Sequence, residues 1–188
     1  MKSVAIINPL ITERHESFSP SGRVKLEKTS LHVGLLETED PGLEENNQSS
    51  NQVLLKKEAF SCNYRDKGIL INLNSGLIHK AKLDPGSLPY AFFGSEFVGV
   101  VVKTGKGVTH LKEGDRVIPD CVYQNPGTDV SIGVPSNTTS QVYEILPANK
   151  LVKIPDIMPT NQAAGFSIGA QTAWAMIRKT AISKDSKV

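Results

Sequence analysis

Glycine-punctuated apolar segments in the middle of the chain restrict its fold more than any other feature of the sequence. The first is a β-branched run at Glu96–Val102, preceded by Gly94. A glycine-rich turn follows at Gly105–Gly107, and Lys112–Val117 contains a second glycine turn that opens onto another apolar run. Apolar runs bounded by glycine turns are typical of consecutive β-strands. This region therefore predicts two neighbouring strands of a small β-barrel.

Gly99 and Glu96 carry separate predictions within the first run. A glycine inside a strand lets another backbone or a ligand come close, so we expect a close approach at Gly99. Glu96 is the one charged residue in a segment otherwise suited to burial. If the segment is buried, the carboxylate requires a partner; if it forms an exposed hairpin, the carboxylate is solvated. The spacing alone leaves both alternatives open.

The composition argues against two classes of partner. Hydrophobic residues make up 39% of the chain and charged residues 21%, as in ordinary globular proteins. The formal net charge is only +2, and no basic stripe interleaved with aromatic residues indicates nucleic-acid binding. No apolar run approaches the ~18 residues that span a bilayer, and the N-terminus lacks a secretory signal. We therefore expect a cytoplasmic protein without a nucleic-acid or membrane partner.

The two cysteines do not predict a disulfide-stabilised protein. Cys62 and Cys121 are too few to build a disulfide framework, and nothing in the sequence suggests an oxidising compartment. Free cysteine usually behaves as a small hydrophobic residue. We therefore predict that each is a buried thiol.

The rest of the pattern predicts a mainly β chain with some helix. Alternating or apolar runs predict four further strands, at Ser3–Ile7, Val53–Ala59, Gln141–Leu146 and Lys150–Ile154. Leucine and isoleucine residues recur at helical spacing between Lys67 and Lys82. Residues 37–51 are acidic and polar and cannot bury enough surface to order themselves, so we predict an exposed loop there.

A helix is predicted from about Gln162 to Lys179, with Thr160 as its N-cap. Its apolar residues surround nearly the whole circumference, which predicts a buried helix. No G-x-G-x-x-G sequence opens a helix after a strand, so the chain lacks the usual signature of a dinucleotide site. We therefore expect the chain by itself to bind a dinucleotide weakly at best.

Several motifs, taken together, resemble one known family. They are Gly94-Ser95-Glu96-x-x-Gly99, Gly105-x-Gly107-Val108, Gly114–Val117, Asn63–Asp66 upstream, and Ala163-Ala164 and Gln171–Trp174 downstream. The set is similar to the medium-chain dehydrogenase/reductase superfamily, in its GroES-like substrate domain, over residues 53 to 188. The resemblance implies a partly open β-barrel at 1–155. It also implies a connecting helix at 156–188 that leads toward a nucleotide-binding domain, with the chain stopping before that domain.

The resemblance also bears on metal binding. Zinc-dependent members hold their catalytic metal with a cysteine and a histidine, which are suitable zinc ligands. At the corresponding positions this chain carries Asn63 and Ser95. The resemblance therefore implies no metal, and it points to the zinc-independent quinone oxidoreductase and enoyl reductase branches. These branches transfer hydride from NADPH to a polarised carbon–carbon double bond.

The resemblance implies roles for individual residues. Asn63 and Thr172 would contact the nicotinamide region of NADPH. Tyr64 would donate a proton to the carbon next to the carbonyl, since a phenol remains protonated at neutral pH; alternatively, it packs in the floor of the cleft with its hydroxyl on a backbone group. The resemblance places the turn at Ser61–Asp66 on the floor of the active-site cleft, with Ser95 and Glu96 nearby. Arg65 and Asp66 are expected at the substrate cleft or, alternatively, as a local ion pair or a pair that holds the turn. Glu96 could likewise be an architectural residue near the cleft.

Two functions follow as alternatives. The first is the substrate-side domain of an NADPH-dependent reductase of a small molecule, inactive as this chain alone. The second is a non-catalytic GroES-like binding or assembly module. In either case a helix that is apolar all round would leave Phe166, Trp174, Met176 and Ile177 partly uncovered. Such surfaces usually recruit a partner, so we expect a homo-oligomer or a separate nucleotide-binding domain.

Overall fold

The computed structural model describes residues 1–8, 18–44, 49–84, 86–121, 133–181, 183 and 185–186. Within these residues the chain forms nine β-strands and three α-helices. The strands are β1 (Lys2–Ile7), β2 (Phe18–Leu26), β3 (Thr29–Glu37), β4 (Gln52–Ser61), β5 (Tyr90–Ala91), β6 (Glu96–Thr104), β7 (Arg116–Pro119), β8 (Tyr143–Pro147) and β9 (Leu151–Lys153). The helices are α1 (Tyr64–Leu83), α2 (Thr160–Ala164) and α3 (Ser167–Thr180).

The strands form two antiparallel sheets. The smaller has the order β2-β3-β1-β5, and the larger has the order β8-β4-β6-β7-β9. Short contacts join the two sheets, such as the hydrogen bond of 3.1 Å from the Val4 amide to the Ser140 carbonyl next to β8. This mainly β architecture confirms the predicted fold class, and the four strands predicted outside the central region are present.

Strand β6 lies at the centre of the larger sheet, between β4 and β7. Gly99 pairs with Lys57 on one side and with Val117 on the other. A Cβ atom on Gly99 would lie only 3.0 Å from the carbonyl oxygen of Lys56. The close backbone approach predicted at this glycine is therefore confirmed. It allows β4 and β6 to remain paired through a bulge.

Three groups of buried apolar side chains form the core. One lies on the larger sheet and includes Phe97, Val53 and Leu55. The other two groups hold helical segments that lie next to the site. In the second group, Leu70 and Leu77 of α1 pack against the smaller sheet. In the third, Ala163 and Ala164 of α2 pack against β6. Helix α1 is thereby anchored to the smaller sheet, and α2 is anchored to β6 in the larger one.

The prediction of the C-terminal helix is wrong in two respects, its continuity and its N-cap residue. It is divided into α2 and α3 at Gly165 and Phe166, and Pro159 occupies the N-cap position instead of Thr160. The interruption has a physical reason, because a helix that begins afresh at Ser167 leaves its first backbone N–H groups free to bind an acceptor. One of these groups, that of Ile168, is taken by a buried carboxylate.

The predicted burial of this helix is also wrong within the part of the chain that the structure describes. Trp174 and Met176 are each 62% exposed, and Phe166 is 49% exposed. The expectation that these side chains remain partly uncovered is therefore confirmed. None of the described helices is both long and apolar enough to cross a membrane.

Part of the predicted polar loop at 37–51 lies outside the described residues, at 45–48. Residues 38–44 contain no helix or strand and are largely exposed, with the exception of the buried Leu43. The C-terminal prediction for 156–188 likewise extends onto positions 182, 184 and 187–188, which are outside the described residues.

Candidate active site at the start of strand β6

Glu96 is the centre of the candidate site. Its side chain is buried, with 1% of its surface exposed. Oε2 accepts hydrogen bonds from Ser61 Oγ at 3.0 Å and from Asn63 Nδ2 at 3.1 Å. Oε1 accepts from Ser167 Oγ at 3.1 Å and from the backbone N–H of Ile168 at 2.7 Å. The solvated-hairpin alternative is therefore wrong, and the buried carboxylate has the partners that burial requires.

These four donors come from three separate elements. Ser61 ends β4, Asn63 is the N-cap of α1, and the other two donors open α3. An anionic group is favourably placed at the N-terminus of α3, because the helix dipole is positive there and the first N–H groups lack intrahelical partners. A single carboxylate thus fixes the relative positions of β4, α1, α3 and its own strand. We refer to Ser61, Asn63, Glu96, Ser167 and Ile168 as the carboxylate cluster.

A second buried carboxylate organises the start of α1. Asp66 has no exposed surface and accepts the backbone N–H of Asn63 at 2.7 Å. It also accepts the hydroxyl of Ser95 at 3.0 Å. As the third residue of the helix it forms a capping box with Asn63. Asp66 therefore holds the helix start against the residue that precedes Glu96.

Two of the predicted roles near this position need correction. Arg65 and Asp66 do not form an ion pair with each other, since the Arg65 guanidinium instead donates to Oδ1 of Asn137 at 3.2 Å. Residues Tyr64 to Asp66 also belong to the first turn of α1 and not to a turn before it. Because a helix places successive side chains about 100° apart, the two residues face in different directions.

Tyr64 does not pack in the floor of the cleft. Its side chain is 88% exposed, and the ammonium of Lys67 lies 5.5 Å from the centre of its ring. The alternative in which the tyrosine is a packed structural residue is therefore wrong. Its hydroxyl is open to solvent one residue beyond Asn63, and its role as a proton donor stays a prediction.

Thr172 is exposed and lies on α3. It is four residues after Ile168, so the two lie on the same face of the helix about one turn apart. Because Ile168 and Asn63 bind the same carboxylate, the structure brings the region of Thr172 to the same end of the sheet as Asn63. Of the two residues assigned to the cofactor by resemblance, Asn63 thus belongs to the carboxylate cluster and Thr172 lies about one helical turn from its member Ile168.

The cysteines differ from the prediction. Cys62 is exposed, so its predicted burial is wrong, and Cys121 is partly buried. Although the residue is exposed, partial desolvation of its thiol raises the pKa of Cys62, and the Asp66 carboxylate adds to this increase. Burial is also the main cause that raises the pKa of Cys121 to about 11, with contributions from Glu96 and Asp120 that a hydrogen bond to Ser167 only partly offsets. Both thiols remain protonated near neutral pH.

Sequence reasoning identified Asn63, Ser95 and Glu96 but missed several of their partners. Ser61, Ser167 and the Ile168 amide carry no distinctive sequence signal, since serine is common in loops and every residue except proline has a backbone N–H. Cys121 was also missed as a neighbour of the site; its own N–H donates to Gln171 Oε1 at 3.0 Å. A buried glutamate predicts that donors exist, but it does not indicate which residues supply them.

Comparison with known proteins agrees with this arrangement. Residues 49–156, more than half of the chain, match the alcohol dehydrogenase GroES-like domain family. The chain therefore belongs to this family. Proteins similar to it include quinone oxidoreductases and enoyl reductases of the medium-chain dehydrogenase/reductase superfamily, which confirms the resemblance read from the motifs.

Two curated relatives illustrate the extent of the match. A quinone oxidoreductase from Salmonella typhimurium is 35% identical over 115 residues, which are 61% of this chain and 31% of that protein. The mitochondrial enoyl-[acyl-carrier-protein] reductase of Dictyostelium discoideum is 38% identical over 84 residues, which are 45% of this chain and 21% of that protein. The chain thus spans about a third or less of the length of these relatives.

A solved structure extends the likeness to nearly the whole chain. The Escherichia coli quinone oxidoreductase complexed with NADPH has a TM-score of 0.56 and 19% sequence identity, and the match covers 96% of this chain and 41% of that chain. At this identity the comparison supports the fold.

Proposed function

We propose that residues 1–188 form the substrate-side domain of an NADPH-dependent oxidoreductase that reduces a polarised carbon–carbon double bond of the quinone or enoyl type. The observation that carries this proposal is the hydrogen bond from Asn63 to the buried Glu96, which holds the side chain assigned to the cofactor beside the start of α3. The similarity to quinone oxidoreductases and enoyl reductases supports the same class of reaction.

The residues present are compatible with a bound nicotinamide. The amide nitrogen of Asn63 is engaged by Glu96, and its oxygen faces the first turn of α1 in the capping box. A carbonyl oxygen has two lone pairs, so one remains to accept a hydrogen bond from a carboxamide. Thr172 adds an exposed hydroxyl on the same side of α3 as Ile168. When bound, NADPH would supply the hydride.

Tyr64 is the proposed proton donor. Reduction of a polarised double bond leaves negative charge at the carbon next to the carbonyl, and a general acid must protonate that carbon. The phenol of Tyr64 is 88% exposed and lies directly after Asn63 in the chain, at the open side of the site. A substrate that approaches Asn63 would therefore find this hydroxyl accessible.

The proposed reaction requires no zinc. The positions that correspond to metal ligands carry an amide at Asn63 and a hydroxyl at Ser95, and zinc prefers thiolate and imidazole ligands. Both side chains already donate hydrogen bonds to carboxylates, to Glu96 and to Asp66 respectively. The described residues also contain no group of three or more histidine, cysteine, aspartate or glutamate side chains arranged to hold a metal.

The exposed apolar side of α3 supports a covering partner. Phe166 precedes the residues of α3 that bind Glu96, and Trp174, Met176 and Ile177 follow them; all four side chains are between 41% and 62% exposed. In the proposed enzyme a nucleotide-binding domain or a second copy of the chain would cover them. Without such cover, we expect the chain to self-associate, which sedimentation at several concentrations would show.

An assay with two substrate types tests the proposal. The protein that contains residues 1–188, together with any nucleotide-binding domain encoded with it, is mixed with NADPH and either a quinone or a short enoyl thioester. Loss of NADPH absorbance with one substrate, and a much slower loss with a saturated thioester, is the expected result. A protein that binds neither substrate nor NADPH would favour the non-catalytic alternative.

A further inference from the structure

A groove of about 500 Å³ runs along α1 at a distance from the carboxylate cluster. One wall is formed by α1 between Ile69 and Lys80, and the other by Ser87–Ala91, which includes the edge strand β5. No member of the carboxylate cluster lines it. The helical segment from Ile69 to Lys80 extends about 16 Å at 1.5 Å per residue step, so the groove is elongated along the helix.

The lining is mainly apolar. The side chains of Ile69, Leu73 and Leu77 face Leu88 and Tyr90 across the groove. Leu88 is 65% exposed, so its side chain adds apolar surface at the mouth of the groove. A volume of several hundred Å³ with this composition is within the range of small-molecule sites. The groove is therefore suited to a narrow apolar ligand.

A glycine keeps the groove open. Gly76 lines it from the middle of α1, and a Cβ atom at this position would meet no atom within 4 Å. A glycine inside a helix costs about 1 kcal/mol relative to alanine. Any larger side chain here would project into the groove. Gly68 also has free space at its Cβ position but does not line the groove, so it provides a matched control on the same helix.

Two polar groups indicate what the ligand carries. Lys80 lies at the end of the groove formed by the last turns of α1 and forms no ion pair among the described residues. The hydroxyl of Ser87, on the opposite wall, is inaccessible to solvent and has no hydrogen-bond partner. Ser87 lines the groove, so this unsatisfied hydroxyl lies beside it. A cation and an unsatisfied donor together favour an anionic oxygen group.

We propose that this groove binds a medium-chain carboxylate, with its hydrocarbon chain along Ile69, Leu73 and Leu88 and its carboxylate between Lys80 and Ser87. The proposal does not depend on the oxidoreductase function, because the groove shares no residue with the carboxylate cluster. Apolar contact supplies most of the affinity, since an exposed ion pair contributes little. The site is distinct from the substrate cleft at Asn63 and Tyr64.

Titration of the isotopically labelled chain with decanoate tests this site. We expect saturable shifts of the backbone amide resonances of Gly76, Ser87, Leu88, Tyr90 and Ala91, and weaker binding of the neutral alcohol decanol. Lys80→Gln should weaken decanoate binding by about two- to fivefold, as expected for an exposed ion pair. Shifts confined to α3, or the absence of saturable binding, would overturn the proposal.

Variants at the two glycines give the sharpest comparison. Gly76→Phe should fill the groove and abolish binding, whereas Gly68→Phe should leave binding unchanged. If Gly76→Phe does not fold, Leu88→Asp provides a surface variant that places a repelling carboxylate on the groove wall, and it should also abolish binding. Binding of decanoate that survives a folded Gly76→Phe or Leu88→Asp variant would refute the assignment.

Discussion

The side-chain amide of Asn63 donates a hydrogen bond of 3.1 Å to Oε2 of the buried Glu96 across 33 residues of sequence. Through the other oxygen of that carboxylate, the N-cap of α1 is linked to the first turn of α3. The orientation of Asn63 therefore depends on Glu96, and substitutions at either residue should affect the site as a unit.

Glu96→Gln should destabilise the fold by about 2–4 kcal/mol. Two of the groups that donate to the carboxylate cannot easily become acceptors. The Ile168 backbone N–H binds one oxygen, and the Asn63 side-chain amide, whose orientation is held by the capping box, binds the other. A glutamine must place its own NH₂ group against one of them. Urea unfolding would measure the loss.

Glu113→Gln is the matched control for this substitution, because Glu113 is exposed in the turn before Gly114. It should change the free energy of unfolding by less than about 0.5 kcal/mol. Equal stability of the Glu96→Gln variant and the unchanged chain would show that the carboxylate cluster does not hold these elements together.

Tyr64→Phe should leave the fold intact and slow the proton-transfer step of the complete enzyme. The side chain is 88% exposed, so removal of its hydroxyl breaks no packing contact. General-acid catalysis contributes roughly 100- to 10,000-fold. Water that reaches the open site could replace the phenol, and the configuration at the protonated carbon would then be scrambled or inverted.

The rate of NADPH oxidation would show whether Tyr64→Phe slows the reaction, and analysis of the product formed in deuterated water would show whether the configuration at the protonated carbon has changed. Tyr143→Phe serves as a control that should retain full activity. Tyr143 lies in β8, and its hydroxyl donates a hydrogen bond to the sulfur of Met1. If Tyr64→Phe changes neither the rate nor the product configuration, the proton donor is another group.

Asp115 should make part of the stability depend on pH. The hydrogen bond from Lys153 at 2.6 Å is the main cause that lowers the pKa of Asp115 from its ordinary value of 3.8. Since the folded state has the lower pKa, this contribution is fully present above about pH 3.8 and is lost as the pH falls through the folded value.

Asp115→Asn should therefore reduce the free energy of unfolding at neutral pH by about 1 kcal/mol and flatten its decline in acid. The expected size is small because Lys153 is half exposed and solvent screens the pair. Urea unfolding between neutral pH and pH 3 tests this, with Asp156→Asn, an exposed position, as the control. An identical acid profile for Asp115→Asn and the unchanged chain would contradict the assignment.

The two thiols should react with iodoacetamide at different rates. Thiolate is the reactive form. With a pKa of about 11, Cys121 is almost entirely protonated at pH 8, and it is partly buried. Cys62 is exposed, so mass spectrometry should find it modified first. The rate at Cys121 should rise about tenfold per pH unit, and the difference should disappear in denaturing urea; faster labelling of Cys121 in the folded chain would contradict this environment.

The strands around Gly99 and the site positions Asn63 and Glu96 could be predicted from the sequence, because glycine turns, β-branched runs and a lone carboxylate are local signals. The motif positions also pointed to the correct family. The division of α2 from α3 could not be predicted, since Ala163 to Ile177 is a continuous helical pattern. The break depends on Glu96, which is far away in sequence and binds the N–H of Ile168.

The exposure of individual side chains was likewise beyond the sequence. Tyr64, Cys62 and Trp174 are all residues that commonly pack inside proteins, yet each lies on the surface of this chain. Local pattern by itself determined most of the strands, the glycine turns around β6 and the presence of a carboxylate that needed partners. Only the tertiary structure decided which donors reach Glu96 and which apolar faces remain open, because those outcomes depend on contacts between segments separated by tens of residues.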